Sequence, residues 1–211
     1  MEVHHVTEDA ETFTCNAYLA VGEDGTATLV DAGAVEGVVD EISEHTDELE
    51  AVVMTHQHGD HVAQLEAVVE AFDPAVYAYA DHPTRTQAID DGDTVTVGDE
   101  EFEVVYTPGH ADDHVSLVSD SSLFSGDVVV HDDGAFDYGS FGRTDMAGQS
   151  RERLIESIRD LLERMPGERS GAAGVEHMYA GHGDVFHGDV RDVVETALQR
   201  AEKREPKYPD E

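Results

Sequence analysis

The segment Thr55-His56-Gln57-His58-Gly59-Asp60-His61 packs three histidines and an aspartate into adjacent positions. In an extended chain, residues at i and i+2 point to the same side, so His56 and His58 can share one metal ion. If a helix starts at Asp60, that residue and His61 turn away by a helical step and can serve a second ion a few Å off. Three further candidates are His110 in Thr107-Pro108-Gly109-His110, Asp127 in Ser125-Gly126-Asp127, and His182 in Ala180-Gly181-His182-Gly183. Each adjoins a glycine, which lets the backbone bend tightly and come close. Imidazole and carboxylate donors without thiolate suit zinc, with iron or manganese as substitutes. Two such ions bring the pKa of a shared water toward neutrality and polarise a carbonyl, so hydrolysis needs no serine or cysteine nucleophile. Asp60 can both ligate and orient the attacking hydroxide.

These ligands need strands that end where loops begin. Phe13–Val21 and Ala27–Val30 read as a hairpin across Gly22-Glu23-Asp24-Gly25, and Val35–His45 as a helix. Ala51-Val52-Val53-Met54 is a buried strand leading straight into the histidines, and Asp60–Phe72 has helical spacing. Val76–Tyr79, Thr94–Val97, Glu101–Tyr106, Val115–Val118, Ser122–Phe124 and Val175–Ala180 continue the β pattern. Two amphipathic helices follow Ser150 and Asp189; their apolar stripes are core, and Pro166-Gly167 stops the first. Glu168–Gly174 reads as a loop and Glu202–Glu211 as a charged, frayed tail. Without a repeat or a Pro/Gly/Ser-rich linker, residues 1–211 read as one α/β domain.

Through these motifs the sequence resembles metallo-β-lactamase-fold hydrolases, nearest the glyoxalase II-like branch. The likeness runs from Asn16-x-Tyr18 and Val30-Asp31-x-Gly33 through HxHxDH to the late Gly-His-Gly. It implies a four-layered αβ/βα sandwich with a dinuclear site at one edge. Carried over, His56, His58 and His110 hold one metal, Asp60, His61 and His182 the other, and Asp127 bridges them. Asp31 supports the ligands from behind, as histidine ligands require. Ala63-Gln64 and Asp113 depart from the family's glycine positions, while His114 matches a histidine of the glyoxalase II-like branch. The chain ends soon after His182, without the helical domain with which glyoxalase II proteins grip glutathione. The implied reaction is therefore hydrolysis of a small acyl thioester with loose preference for the thiol. Lactonase action, a persulfide dioxygenase with a single iron on two histidines and Asp127, and a non-catalytic binding protein are the alternatives. The segment from His131 to Arg143 follows Asp127, and Tyr138, Phe141 and Arg143 are candidate substrate contacts. His4, His5, His45, His82, His131, His177 and His187 are expected to be solvated or structural, and Cys15 to pack inertly.

Lys and Arg total 12 against 48 Asp and Glu, a formal charge of −36. Such a polyanion repels phosphate backbones, which excludes nucleic acid as a partner and leaves small molecules. The acidic residues are spread along the chain and only Lys203 and Lys207 are lysines, a pattern that fits a salt-rich, halophilic cytoplasm. A lone cysteine, an N-terminus without a basic-then-apolar leader, and no stretch of roughly 18–20 apolar residues predict a soluble cytoplasmic protein without a membrane partner. Salt should screen the self-repulsion. Thermal midpoints are expected to climb from low salt to molar KCl in a calorimetric series, and a flat series would remove halophilic adaptation.

Overall fold

A computed structural model of the chain describes residues 1–166 and 174–207. The chain divides into two compact units, Met1–Phe102 and Glu103–Glu211. In the first, the strands β1 (Glu2–His5), β2 (Tyr18–Val21), β3 (Ala27–Val30), β4 (Ala51–Val53), β5 (Ala75–Ala78) and β6 (Gln87–Ala88) pair in chain order. The ladder is antiparallel from β1 to β3 and parallel from β3 to β6. Parallel strands end at the same edge, so the loops after β3 and β4, carrying Asp31 and His56, emerge together. Helices α1 (Val38–His45), α2 (Gly59–Val62) and α3 (Leu65–Phe72) complete this unit with β7 (Thr94–Val97). Its core joins Leu19, Leu29 and Val52 of the strands to Ile42 and Val68 of the helices.

The unit boundary falls inside β8 (Glu100–Tyr106). Beyond it come β9 (Val115–Val118), β10 (Ser122–Gly126), the ribbon β11 (Val129–Val130) with β12 (Ser140–Phe141), helix α4 (Arg151–Arg164), β13 (His177–Ala180), β14 (Phe186–His187) and α5 (Val190–Glu202). The second sheet has the order β14-β13-β10-β9-β8-β7. β8 and β10 each run antiparallel to β9, and β13 runs parallel to β10. Three strands therefore end at one edge, which gathers the loops bearing His110, Asp127 and His182. Leu154, Ile158 and Leu161 of α4 and Val193, Val194 and Ala197 of α5 form a core with Leu123 and Met178.

Ser150 and Asp189 cap α4 and α5, as their positions suggest, by accepting the N–H groups of Arg153 and Asp192. Several boundaries differ from the sequence reading. The helix expected from Val35 begins only at Val38, because Gly37 adopts φ 101°, outside helical space. The continuous helix expected over Asp60–Phe72 breaks at Gln64, whose N–H donates to the Gly33 carbonyl instead of continuing the ladder. Phe13 lies outside the strand and is 80% exposed. The Thr7 hydroxyl donates to the Cys15 carbonyl and accepts the Ala17 N–H, turning residues 7–17 into a loop.

The frayed tail is a further correction. Residues 208–211, like 167–173 of the expected loop, lie outside the described residues, but the chain is held as far as Lys207. Lys207 is 8% exposed, pairs with Asp133 at 2.5 Å, and donates to the Phe141 carbonyl. Burial raises the pKa of Asp133, yet the Lys207 charge and hydrogen bonds to Lys207, Ser140 and the Phe136 N–H outweigh it and leave the carboxyl below its ordinary value. Among the described residues no helix is long and apolar enough to cross a membrane.

His4 stacks on His45 with ring centroids 3.9 Å apart. Burial, then the His45 charge, lowers its pKa below 6.5, and burial lowers that of His5. With both folded-state values depressed, the unfolded chain binds protons first as pH falls. Stability is therefore complete above 6.5 and declines below it. The urea midpoint should drop on going from about pH 7.5 to about pH 5.5, and His5→Gln should flatten the drop.

Candidate metal centre

In the N-terminal unit Asp31 is the anchor. It is 2% exposed and adopts φ 58°, a left-handed conformation that aspartate tolerates better than most residues. One carboxylate oxygen accepts the Thr55 N–H at 2.8 Å, and the other accepts the Thr55 hydroxyl at 2.7 Å and meets His61 Nδ1 at 2.8 Å. An ionised carboxylate only accepts, so His61 carries its proton on Nδ1 and directs the Nε2 lone pair away from Asp31. His61 itself is fully buried. The α2 turn is tied to the same loop, with the Ala32 N–H donating to the His61 carbonyl at 2.9 Å.

His56 follows β4 and is nearly buried. Its Nε2 stands 3.0 Å from His58 Nδ1, and its ring lies 4.0 Å from that of His61, centroid to centroid. The i, i+2 pair His56 and His58 is thus brought together, with two imidazole nitrogens at hydrogen-bond distance. Asp60 lies at the start of α2, one carboxylate oxygen 4.0 Å from His61 Nε2. The placement of Cys15 was not legible. The buried thiol belongs to a group with Asp31 and His61 whose ligand atoms lie within 4.8 Å of one another. The sequence reading put Cys15 within the strand Phe13–Val21, whereas β2 begins only at Tyr18 and Cys15 precedes it in the loop.

In the C-terminal unit one Asp127 oxygen lies 3.3 Å from His110 Nε2 and 3.4 Å from His182 Nε2. His110 Nδ1 donates to the Arg143 carbonyl at 3.0 Å, so Nε2 is the nitrogen whose lone pair could meet a metal. Close backbone approach makes this possible. A Cβ on Gly142 would stand 1.8 Å from the Asp127 carbonyl oxygen, so only glycine fits where the two loops cross. Gly126, with φ 52°, marks a shift of register between β10 and β13 that turns Asp127 out of the strand.

The expected substrate contacts fare differently. Phe141 is fully buried in the core, beneath the Arg151 guanidinium 4.9 Å from its ring centroid, so its side chain faces no ligand surface. Arg143 is partly exposed, but both Nε and one terminal nitrogen donate to Asp145 at 2.9 Å. Its backbone carbonyl also accepts from His110 Nδ1, a contact that any residue could make and that no side-chain pattern reveals. The Tyr138 hydroxyl donates to Asp192 at 2.7 Å. Partial burial, then that bond and the Asp192 charge, raise its pKa to about 12, so it stays a neutral phenol.

The donor set fits a divalent metal. Each unit presents imidazole nitrogens beside carboxylates, and His61 and His110 each have the remote nitrogen committed to an acceptor. Comparison with known proteins agrees. The Metallo-beta-lactamase superfamily model matches residues 10–207. A hydroxyacylglutathione hydrolase of Xanthomonas axonopodis pv. citri is 30% identical over 186 residues, covering 87% of this chain and 68% of that enzyme. The Vibrio cholerae hydroxyacylglutathione hydrolase is 35% identical over 149 residues, covering 69% of this chain, so the alignment spans only 55% of its length. ETHE1 from Myxococcus xanthus superposes with a TM-score of 0.70 at 24% identity, covering 93% of this chain and 89% of that one. TTHA1623, solved in a di-iron-bound form, gives 0.61 at 25% identity over 82% and 89% of the two chains. These likenesses show the metallo-β-lactamase fold, the α/β architecture expected from the motifs.

Asp31→Asn tests the anchoring carboxylate. Asparagine keeps the left-handed backbone and one acceptor, but its amide group faces His61 Nδ1 and forces the proton onto Nε2. The fold should survive by circular dichroism while metal affinity falls roughly 10- to 100-fold in a titration.

Proposed function

The chain belongs to the metallo-β-lactamase superfamily, and on that premise we propose that it is a metal-dependent hydrolase of small acyl thioesters. The observation that carries this reading is the pair of pre-oriented ligand groups, Asp31–His61 in one unit and Asp127 beside His110 and His182 in the other. The named activity of the hydroxyacylglutathione hydrolases supports the thioester as substrate class. His56, His58 and His110 would hold one metal, Asp60, His61 and His182 the second, and Asp127 would bridge. Zinc is the proposed ion, with iron or manganese as substitutes; the di-iron form of TTHA1623 supports a pair of ions in this fold. When bound, the metals supply Lewis acidity for the substrate carbonyl and acidify water.

The protein's own groups do the rest. Asp60 would accept a hydrogen bond from a water at the site and orient its lone pair. Asp31 holds the proton of His61 on Nδ1, and the Arg143 carbonyl holds that of His110. A thiolate leaves readily, so no strong general acid is needed to protonate it. The proposed substrate contacts are Tyr138 and Arg143. A substrate carboxylate would take over one donor of Arg143 from the exposed Asp145 pair, an exchange of surface ion pairs that costs little. The reaction belongs in the cytoplasm, and the acidic surface is proposed to be an adaptation to high salt.

Zinc-loaded protein should carry two metals per chain, cleave an acyl thioester, and leave RNA and DNA phosphodiesters intact. His58→Ala should lower the metal count and abolish activity, and Arg143→Ala should raise KM more than it lowers kcat. A substrate panel that adds a lactone and a persulfide, with oxygen uptake followed, decides the reaction class. Faster lactone turnover, or one iron with oxygen consumption, would replace the thioesterase reading.

A further inference from the structure

Behind the C-terminal ligands runs a buried chain of hydrogen bonds whose direction is fixed at both ends. The Asp127 N–H, which can only donate, meets His114 Nε2 at 2.8 Å. The Ser125 carbonyl, which can only accept, takes the Ser116 hydroxyl proton at 3.1 Å. Between them Thr107 Oγ1 lies 2.8 Å from His114 Nδ1 and 3.0 Å from Ser116 Oγ. With the Ser116 proton committed to Ser125, Thr107 must donate to Ser116 and accept from His114 Nδ1. His114 is thereby held neutral, with its proton on Nδ1 and a lone pair on Nε2 for Asp127. His114, Thr107, Ser116 and Ser125 are all fully buried.

The chain joins two loops. Thr107 and His114 flank the turn that carries His110, closed by the Thr107 N–H on the His114 carbonyl at 2.9 Å, while the far end grips the backbone of Asp127. We propose that His114 and Thr107 are positioning residues that fix the Asp127 backbone against the His110 turn, with His114 as a one-way acceptor locked in the Nδ1–H tautomer. This deepens the reading of Asp127 and His110 as metal ligands and rests on it. A flipped imidazole would set Nε2–H against the Asp127 N–H, donor against donor, and push Asp127 off its place beside His110 and His182.

The test begins with the metal-free, ¹⁵N-labelled chain. Long-range imidazole spectra should show His114 protonated on Nδ1, with a coupling across the hydrogen bond between the Asp127 amide nitrogen and Nε2. Thr107→Val, which touches neither ligand, should release the tautomer and weaken zinc binding about 10-fold or more, and Thr107→Ser should restore both. An Nε2–H tautomer in the unaltered chain overturns the proposal, as does a folded Thr107→Val protein that binds zinc like the unaltered one. The spectra of the unaltered chain decide the tautomer even if Thr107→Val fails to fold. Should the unaltered chain show the expected tautomer and coupling yet take up no zinc, the metal-centre reading fails and the proposal that rests on it falls with it, whereas a wrong tautomer with normal zinc uptake overturns the positioning role alone.

Discussion

A histidine is held with one ring nitrogen toward a metal most firmly when the proton on the other is taken by a fixed acceptor. That constraint shapes both units. Asp31 satisfies it for His61, and to do so the chain accepts a left-handed backbone, buries a carboxylate and spends both of its oxygens on Thr55 and His61. Burying an unpaired charge costs several kcal/mol. The three hydrogen bonds offset that cost and weld the β3 loop, the β4 loop and the α2 turn into one body. His110 meets the same requirement through a backbone carbonyl, a weaker acceptor, which in turn requires the loop from 131 to 143 to be stationary.

The need to hold that loop in place gives a reason for features that look unrelated to chemistry. Phe141 is a core residue of the loop, Gly142 lets it cross the Asp127 backbone, and Lys207 clamps it through Asp133 and the Phe141 carbonyl. One of only two lysines is therefore spent in a buried position. On a surface this acidic an exposed cation could find a carboxylate almost anywhere, and exposed pairs contribute little. A buried pair, once formed, is expensive to break from one side, which suits a clamp.

How much of this was legible in the sequence follows from the range of each interaction. The candidate segments stood out because ligand chemistry is carried by side-chain type, and the strands before them were legible because β-branched runs are local signals. The caps Ser150 and Asp189 were legible for the same reason. The break at Gln64 was not, since it depends on a partner, the Gly33 carbonyl, that is distant in sequence. Nor was the contact of Arg143 with His110, which is made by a carbonyl common to every residue. Phe141 read as a ligand contact because an aromatic in a polar loop looks exposed, and only packing against Arg151 and the helices shows otherwise. The tail misled through composition, since a charged segment reads as frayed until its one buried pairing is seen.

His114 shows where the two kinds of information meet. Its identity is visible in the sequence, but its protonation pattern is not a property of the residue. It is dictated by a backbone N–H at one end of a hydrogen-bond chain and a backbone carbonyl at the other, neither of which can exchange roles. Hydroxyls alone would leave such a chain free to reverse; anchoring both ends in the backbone removes that freedom without adding a charge to the interior. The fold can thus orient a candidate bridging carboxylate with neutral groups only, and keep its buried charges for places such as Asp31 and Lys207, where a partner is present to hold each one.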